Sequence, residues 1–168
     1  MKKAMAVTFV LAMAACGGGG SDSPTAPATP PPPTKAVVTF NLDPKAQVAE
    51  YQGNGYWKFK VNMEFLESGG GGTGGVGYTV NTTRVSLSSP SGTILLDYNY
   101  AMAARVEANG RRVFQWTSPL YYTNYGTGNA NVSMVASITD DKGNAMTVSS
   151  AMTVKHVGGE KVDLEGGR

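Results

Sequence analysis

The sequence predicts an all-β protein built as a two-sheet antiparallel β-sandwich of about seven strands. Apolar and polar residues alternate over several stretches, turn-forming residues recur at intervals of about ten residues, and no long amphipathic helix pattern is present. The clearest alternation runs from Trp57 to Phe65, where every second residue is apolar. Because side chains of a strand point to opposite faces in turn, this stretch predicts a strand with one buried face.

Further extended stretches supply the other strands. They are predicted over residues 37–42, 79–88, 93–98, 112–117, 132–138 and 146–154. Asn109-Gly110 is typical of a two-residue hairpin turn, since both residues tolerate a positive φ. Residues 90–92 and 140–144 predict slightly longer hairpin turns, so neighbouring strands are mostly antiparallel. Residues 98–107 contain several helix formers and are compatible with a strand, a short helix or a mixture of both.

Two of these segments resemble hairpins of bacterial Ig-like and PKD-like domains. The first is residues 131–140 followed by 143–154, and the second is residues 85–92, Val-Ser-Leu-Ser-Ser-Pro-Ser-Gly. The resemblance covers about a third of the domain and implies an Ig-like β-sandwich over residues 36–155. It implies nothing specific about function.

The N-terminus carries the features of an export signal. Lys2 and Lys3 precede an uncharged apolar run from Ala4 to Ala15, and Cys16, the single cysteine of the chain, follows it. The run is too short to cross a bilayer as a helix and matches a secretory signal peptide over residues 1–15. A cysteine without a disulfide partner is unusual in an exported domain.

Residues 13–16, Met-Ala-Ala-Cys, resemble the lipobox of bacterial lipoproteins. That resemblance implies that Cys16 is diacylated on its sulfur, becomes the mature N-terminus and is acylated again, so that the protein is attached to a membrane. Gly17 in place of Asp after the cysteine implies the outer membrane. The pattern departs from the family at Met13, where leucine is preferred, and an ordinary signal peptide cleaved near Ala12 to Ala14 is the alternative.

The remaining chain divides into a linker, a domain and a tail. Residues 16–35 are rich in Gly, Pro, Ser and Thr and contain no large apolar side chain, which predicts a disordered tether. The sandwich occupies residues 36–155, and residues 156–168 form a polar C-terminal tail. The glycine-rich stretch 68–77 lacks the ending of a phosphate-binding loop and is expected to be a flexible connection.

The charge balance argues against a strongly anionic partner. The chain has 14 Lys and Arg against 12 Asp and Glu, and removal of Lys2 and Lys3 with the signal peptide leaves 12 against 12. Binding to nucleic acid or to anionic lipid headgroups requires concentrated positive charge. The sequence therefore predicts no nucleic-acid partner.

The stretch 118–131 contains the candidate ligand-binding residues. They are Tyr121, Tyr122, Asn124 and Tyr125. Tyrosine mixed with Asn, Ser, Thr and Gly is typical of recognition loops, because it combines rigid amphipathic rings with hydrogen-bonding groups. A protein or a glycan would suit such a loop, with Tyr121 and Tyr125 as anchors. The alternative is that one or two of the rings cap the end of the core.

Residues capable of catalysis or metal binding are few. His156, the single histidine, lies where the last strand ends, and it is expected to be exposed, without the nucleophile elbow of a catalytic triad. Asp140 and Asp141 would be the ligands of a calcium site, but the segment lacks further oxygen donors and a hairpin turn explains it better. A zinc site lacks ligands. No catalytic residue, metal or cofactor is predicted.

Three function classes follow. The first is a non-catalytic Ig-like binding, adhesion or assembly module displayed from a lipid anchor. The second is a carbohydrate-binding module, which requires exposed aromatic rings in a row on one sheet face. The third is a hydrolase using carboxylates such as Glu64, Asp97 or Glu107, and it requires two of them to face each other in a cleft.

Overall fold

The structure, a computed structural model, describes residues 31–69, 74–123 and 128–158. Cys16, Asn124 and Tyr125 lie outside these residues, as do the signal peptide and most of the linker. The described residues contain strands and no helix. In particular, nothing within them is a helix long and apolar enough to cross a membrane.

Eleven strands form within the described ranges. They are β1 (Val38–Asp43), β2 (Ala46–Val48), β3 (Glu50–Gly53), β4 (Tyr56–Lys58), β5 (Lys60–Glu67), β6 (Tyr78–Ser88), β7 (Ile94–Val106), β8 (Arg111–Thr117), β9 (Tyr121–Tyr122), β10 (Gly128–Asp140) and β11 (Ala145–His156). The seven longer ones, β1, β5 to β8, β10 and β11, overlap the predicted stretches, and the stretch from Trp57 to Phe65 is divided between β4 and β5. The other three short strands carry no alternation long enough to be recognised in the sequence. The stretch 98–107 is strand up to Val106, so the helical alternative is wrong.

The strands form three sheets. Their orders are β1-β5-β8, β2-β11-β10-β6-β7 and β3-β4-β9. All neighbouring pairs are antiparallel except β2 and β11, which are parallel. The prediction of an all-β, mostly antiparallel protein is therefore confirmed.

The core is built from the alternation that the sequence contains. Along β5, Val61, Met63 and Phe65 are buried while the residues between them are partly or fully exposed. Trp57 and Phe59 continue the same face, and both rings are fully buried. Burial of a large apolar side chain contributes about 1.5–3 kcal/mol relative to exposure, so these residues dominate the stability of the fold.

The two ends of the sheets differ in what they carry. At one end lie Ala36, the β5–β6 connection, the β7–β8 turn and the β10–β11 turn, as the pairs Val38↔Glu67, Leu66↔Arg111 and Asp140↔Tyr78 establish. We call this the linker end. At the opposite end, the tip, lie the β3–β4 hairpin, the β6–β7 turn, β9 and the last residue of β11.

The two long sides also differ. On one side the chain passes from β1 in the β1-β5-β8 sheet to β2 in the five-stranded sheet. Thr153 N–H donates to Lys45 C=O at 2.9 Å there. On the other side, β7 and β8 are the last strands of their sheets. We call this second side the open side, because within the described residues no strand pairs with the outer edge of β7 or β8.

Candidate functional site

The tip contains a buried cluster of Tyr121, His156 and Trp57. Tyr121 is only 3% exposed, and its hydroxyl lies 2.9 Å from His156 Nε2. The rings of Trp57 and His156 meet edge to face, with centroids 4.9 Å apart. The Tyr121 ring also packs against Phe59, with centroids 6.0 Å apart. Tyr121 therefore caps the core and offers no surface to a ligand in this arrangement.

His156 is not the exposed terminal histidine that the sequence suggested. It is the last residue of β11 and is 3% exposed. It follows Met152 and Val154 on the inward face of the strand, which is why it enters the core. Burial lowers the pKa of His156, and a hydrogen bond with the backbone of Gly128 opposes this only in part.

Tyr122, the next residue, points the opposite way and is 45% exposed. Its ring meets the equally exposed Tyr56 edge to face, with centroids 5.6 Å apart. The pair is backed by the β3–β4 turn: a Cβ at Gly55 would lie 2.6 Å from the Tyr122 ring. Two exposed tyrosine rings thus lie in edge-to-face contact beside a tight turn. Of the four candidate ligand-binding residues, Tyr122 is the one that is exposed within the described part of the chain.

A small cavity of about 200 Å³ lies at the tip, on the five-stranded sheet. Its walls come from the β6–β7 turn, from the start of β10 and from His156. They include Pro90, Leu95 and Ala130. A largely apolar cavity of this size is below the usual range for small-molecule sites.

The linker end is organised around the buried carboxylate of Glu67, which is 1% exposed. It accepts backbone N–H bonds from Val37 at 3.2 Å, Gly69 at 2.9 Å and Asn109 at 2.7 Å, and a further one from Val76. Burial raises the pKa of Glu67, but the four donors outweigh it and the net pKa is lowered. The carboxylate therefore ties together three segments of the chain: the residues before β1, the β5–β6 connection and the β7–β8 turn.

Asp140 is a second carboxylate of the linker end that binds backbone N–H groups. Its carboxylate accepts N–H bonds from Ala36 at 3.0 Å, Lys142 at 2.9 Å and Asn144 at 2.8 Å. Burial acts to raise the pKa of Asp140, but these bonds and the Asn144 side chain lower it to about 2. Asp141 pairs instead with Arg105. Within the described ranges no three His, Cys, Asp or Glu side chains form a group suited to a metal ion.

The three candidate carboxylates of a hydrolase each contact a different arginine. Asp97 binds Arg84 through two hydrogen bonds at 2.9 and 2.6 Å, Glu64 pairs with Arg111, and Glu107 pairs with Arg105 at 3.2 Å. Since each carboxylate is engaged in its own ion pair, the contacts of the described residues bring no two of them together as an acid and base would require.

The open side carries a row of aromatic rings. The rings of Tyr98 and Tyr100 are 6.2 Å apart with planes inclined by 24°, and those of Tyr100 and Trp116 are 6.1 Å apart with planes inclined by 11°. Tyr98 is 44% exposed, and the other two are partly buried. Tyr100 also donates to Met63 Sδ at 3.0 Å, and burial raises the pKa of its hydroxyl to about 12.

Sequence reasoning missed Glu67 and the Tyr100–Trp116 pair, and it misjudged His156. For Glu67 the signal was present: the alternation from Trp57 to Phe65, continued by one further step, falls on Glu67. The same rule places His156 after Met152 and Val154 on β11. The pair of Tyr100 and Trp116 depends on which strands end the two sheets, and the local pattern does not contain that information.

No family model and no curated protein matches this chain. Among solved structures, it is similar to the X-ray structure of a structural-genomics target, SoR45, with a TM-score of 0.50 and 11% identity over 80% of this chain and 95% of that chain. A Bordetella pertussis protein assigned as ApaA gives a TM-score of 0.44 with 9% identity, covering 75% of this chain and 94% of that one. A PapD-like domain of human CEP192 gives 0.37 with 15% identity, covering 85% and 99%. The first likeness concerns the fold alone.

Proposed function

We propose that this chain is a non-catalytic Ig-like β-sandwich of about seven main strands that is held at the outer membrane by a lipid on Cys16 and binds a partner through its tip. The observation that carries the proposal is the separation of its two ends. Ala36 and Val37 bring the linker into the linker end, whereas Tyr122 and Tyr56 lie at the opposite end.

The linker end is suited to receive a tether. The backbone N–H groups of Ala36 and Val37 are bound by two different buried carboxylates, Asp140 and Glu67. Two charge-assisted hydrogen bonds on consecutive residues fix where the folded domain begins. A domain held there by a tether presents its opposite end to the surroundings.

The tip has the chemistry of adaptable recognition. Tyr122 and Tyr56 supply exposed amphipathic rings beside the β3–β4 turn, and such rings lose little conformational freedom on binding. With 12 positive and 12 negative residues after removal of Lys2 and Lys3, the mature protein is neutral. This favours an uncharged protein or glycan surface as the partner over nucleic acid.

The anchor is tested by intact mass and by membrane fractionation of the wild type beside Cys16→Ser. The wild type should begin at an acylated Cys16 and sediment with membranes, while Cys16→Ser should accumulate as the unprocessed precursor. Release of both proteins as the same soluble species, cleaved elsewhere, would overturn the anchor.

The tip is tested by site-specific photo-crosslinking in intact cells, with the photoreactive residue at position 122. The matched control carries it at Val135, which is also exposed but lies on β10, in the middle of the five-stranded sheet. A product formed from position 122, absent from position 135 and lost in a Tyr56→Ala background supports the tip as the binding surface. Equal products from both positions contradict it.

A carbohydrate-binding module is the second candidate, and the row of Tyr98, Tyr100 and Trp116 is the observation that favours it. Affinity electrophoresis through gels containing neutral polysaccharides tests this alternative. Retardation of the wild type that is lost in Tyr98→Ala would support it. Unchanged mobility of both proteins in every gel would count against it.

A further inference from the structure

β7 presents an unprotected strand edge on the open side. It ends the five-stranded sheet, and within the described residues nothing pairs with its outer edge. From Leu96 to Ala101 its register with β6 is continuous, and register shifts lie on both sides of this stretch. Unpaired N–H and C=O groups along a regular strand form a template for pairing with another strand.

The usual protection of an edge strand is missing there. Edge strands are normally guarded by lysine, proline or a bulge. Between Leu96 and Ala101 the sequence has no lysine and no proline, and its one charge, Asp97, is neutralised by Arg84 at 2.6 Å. The bulge with a positive φ of 47° at Ala103 lies beyond this stretch.

The inward face of the same stretch is incompletely covered. Tyr98 and Tyr100 pair with Val85 and Thr83 of β6, both of which are fully buried, yet the two tyrosine rings remain partly exposed. The rings therefore extend past the core into the open side. An added strand at the β7 edge would cover them with its own side chains.

We propose that β7 pairs in antiparallel fashion with β7 of a second copy of this chain, around a two-fold axis at Asn99. Directly opposed residues of an antiparallel pair share one face of the sheet, so a symmetric register that continues the sheet must be centred on a residue. Centring on Asp97 would oppose two carboxylates, which is destabilising.

The register at Asn99 avoids that conflict and is self-complementary. Tyr98 of each copy lies opposite Tyr100 of the other, which gives two aromatic cross-strand pairs on the inward face. Asp97 lies opposite Ala101, so the Asp97–Arg84 ion pair within each copy is preserved. A second copy also supplies strand N–H and C=O groups to the free edge of β7. A glycan stacked on the rings would leave that edge without strand partners.

The pairing goes beyond the proposed tip and does not depend on lipidation of Cys16. Because the two β7 strands run in opposite directions, the linker ends of the two copies point away from each other. Pairing uses the β7 edge from Leu96 to Ala101, whereas the proposed recognition uses Tyr56 and Tyr122, so the two involve different residues.

Light scattering of residues 16–168, produced without the signal peptide and therefore unlipidated, over a concentration series from about 1 to about 100 µM tests the proposal. The wild type should form a dimer. Asn99→Lys should raise the dissociation constant of the dimer by about tenfold or more, because two lysines would face each other across the axis. The matched control is Gln115→Lys, an exposed position on β8, the edge strand of the other sheet. Equal thermal midpoints of the two variants establish that both are folded.

Disulfide trapping fixes the register. Asn99→Cys should give a dimer under mild oxidation whose cross-linked peptide joins position 99 to position 99, while Gln115→Cys should give none; peptide mapping separates either product from one through Cys16. A protein that stays monomeric throughout the series, with or without binding to a neutral polysaccharide, overturns the proposal. So does a dimer with an unchanged dissociation constant in Asn99→Lys.

Discussion

The hydroxyl of Tyr121 and Nε2 of His156 lie 2.9 Å apart inside the tip, and each side chain is 3% exposed. Burial raises the pKa of Tyr121 and lowers that of His156, so both groups are held in their neutral forms at pH 7. The neutral pair shares one hydrogen bond, and His156 has a further one with the backbone of Gly128. The packing beneath the exposed Tyr122 therefore depends on a neutral His156, and acid is expected to weaken it.

The first prediction concerns the pH dependence of stability. The folded-state pKa of His156 lies below its ordinary value of 6.5, so below that pH the unfolded chain binds a proton more readily than the folded one. The free energy of unfolding should be unaffected above the ordinary pKa and should decline as the pH falls from about 7 to about 5. Urea denaturation at a series of pH values measures it.

The chain contains one histidine, which makes the control simple. His156→Gln keeps a polar side chain beside Tyr121 but does not titrate, so the decline over this pH interval should disappear. If His156→Gln retains the same slope of stability against pH, the titrating group is not His156.

The second prediction separates Tyr121 from Tyr122. Tyr121→Phe removes the partner of a buried imidazole and should lower the free energy of unfolding by about 1 kcal/mol. Tyr122→Phe alters an exposed hydroxyl and should change it by less than about 0.5 kcal/mol. Chemical denaturation at pH 7.5 measures both. Equal effects of the two substitutions would mean that Tyr121 is not held as the structure has it.

The third prediction concerns Glu67. Glu67→Gln replaces one of two acceptor oxygens by an NH₂ group, which faces backbone N–H donors of Val37, Gly69, Val76 and Asn109 and leaves some of them unpaired. Each unpaired buried group costs about 1–3 kcal/mol, so a loss of about 3 kcal/mol or more is expected. Glu107→Gln, at an exposed carboxylate, is the control. Similar losses from both substitutions in thermal denaturation would contradict this role.

The alternation of apolar residues predicts the long strands and most of the core, and the hairpin turns predict that neighbouring strands are mostly antiparallel. The alternation does not identify the buried strand ends, because the residues there are polar. Glu67, Asp140 and His156 each continue an apolar alternation by one step and are buried. A buried strand end is tolerated when backbone N–H groups or a tyrosine satisfy the polar side chain, and those partners come from distant segments. The local pattern cannot supply them.

Strand order was likewise beyond the sequence, and with it the location of the aromatic row. Tyr98 and Tyr100 read as ordinary inward residues of a strand. Their exposure follows from β7 being at the edge of its sheet, beside β8 at the edge of the other. Pairing between residues far apart in the chain decides this, and a single sequence does not record it.

The last prediction tests the contact between Gly75 and Glu67. A Cβ at position 75 would lie 1.9 Å from Glu67 Oε2 and 2.9 Å from the backbone nitrogen of Asn109. Glu67 Oε2 is the terminal oxygen of a side chain that four N–H donors hold in place, so it cannot move aside without losing these hydrogen bonds. Gly75→Ala should therefore destabilise the fold by about 2 kcal/mol or more, in the range of an overpacked site.

A double-mutant cycle identifies the cause. In a Glu67→Ala background the carboxylate is absent, so of the three atoms nearest the added methyl group only the Asn109 backbone nitrogen remains, and the cost of the methyl group should fall by at least about 1 kcal/mol. Urea denaturation of the four proteins at pH 7.5 gives the coupling energy. If the effects of Gly75→Ala and Glu67→Ala add without coupling, the glycine is needed for some reason other than the space occupied by Glu67.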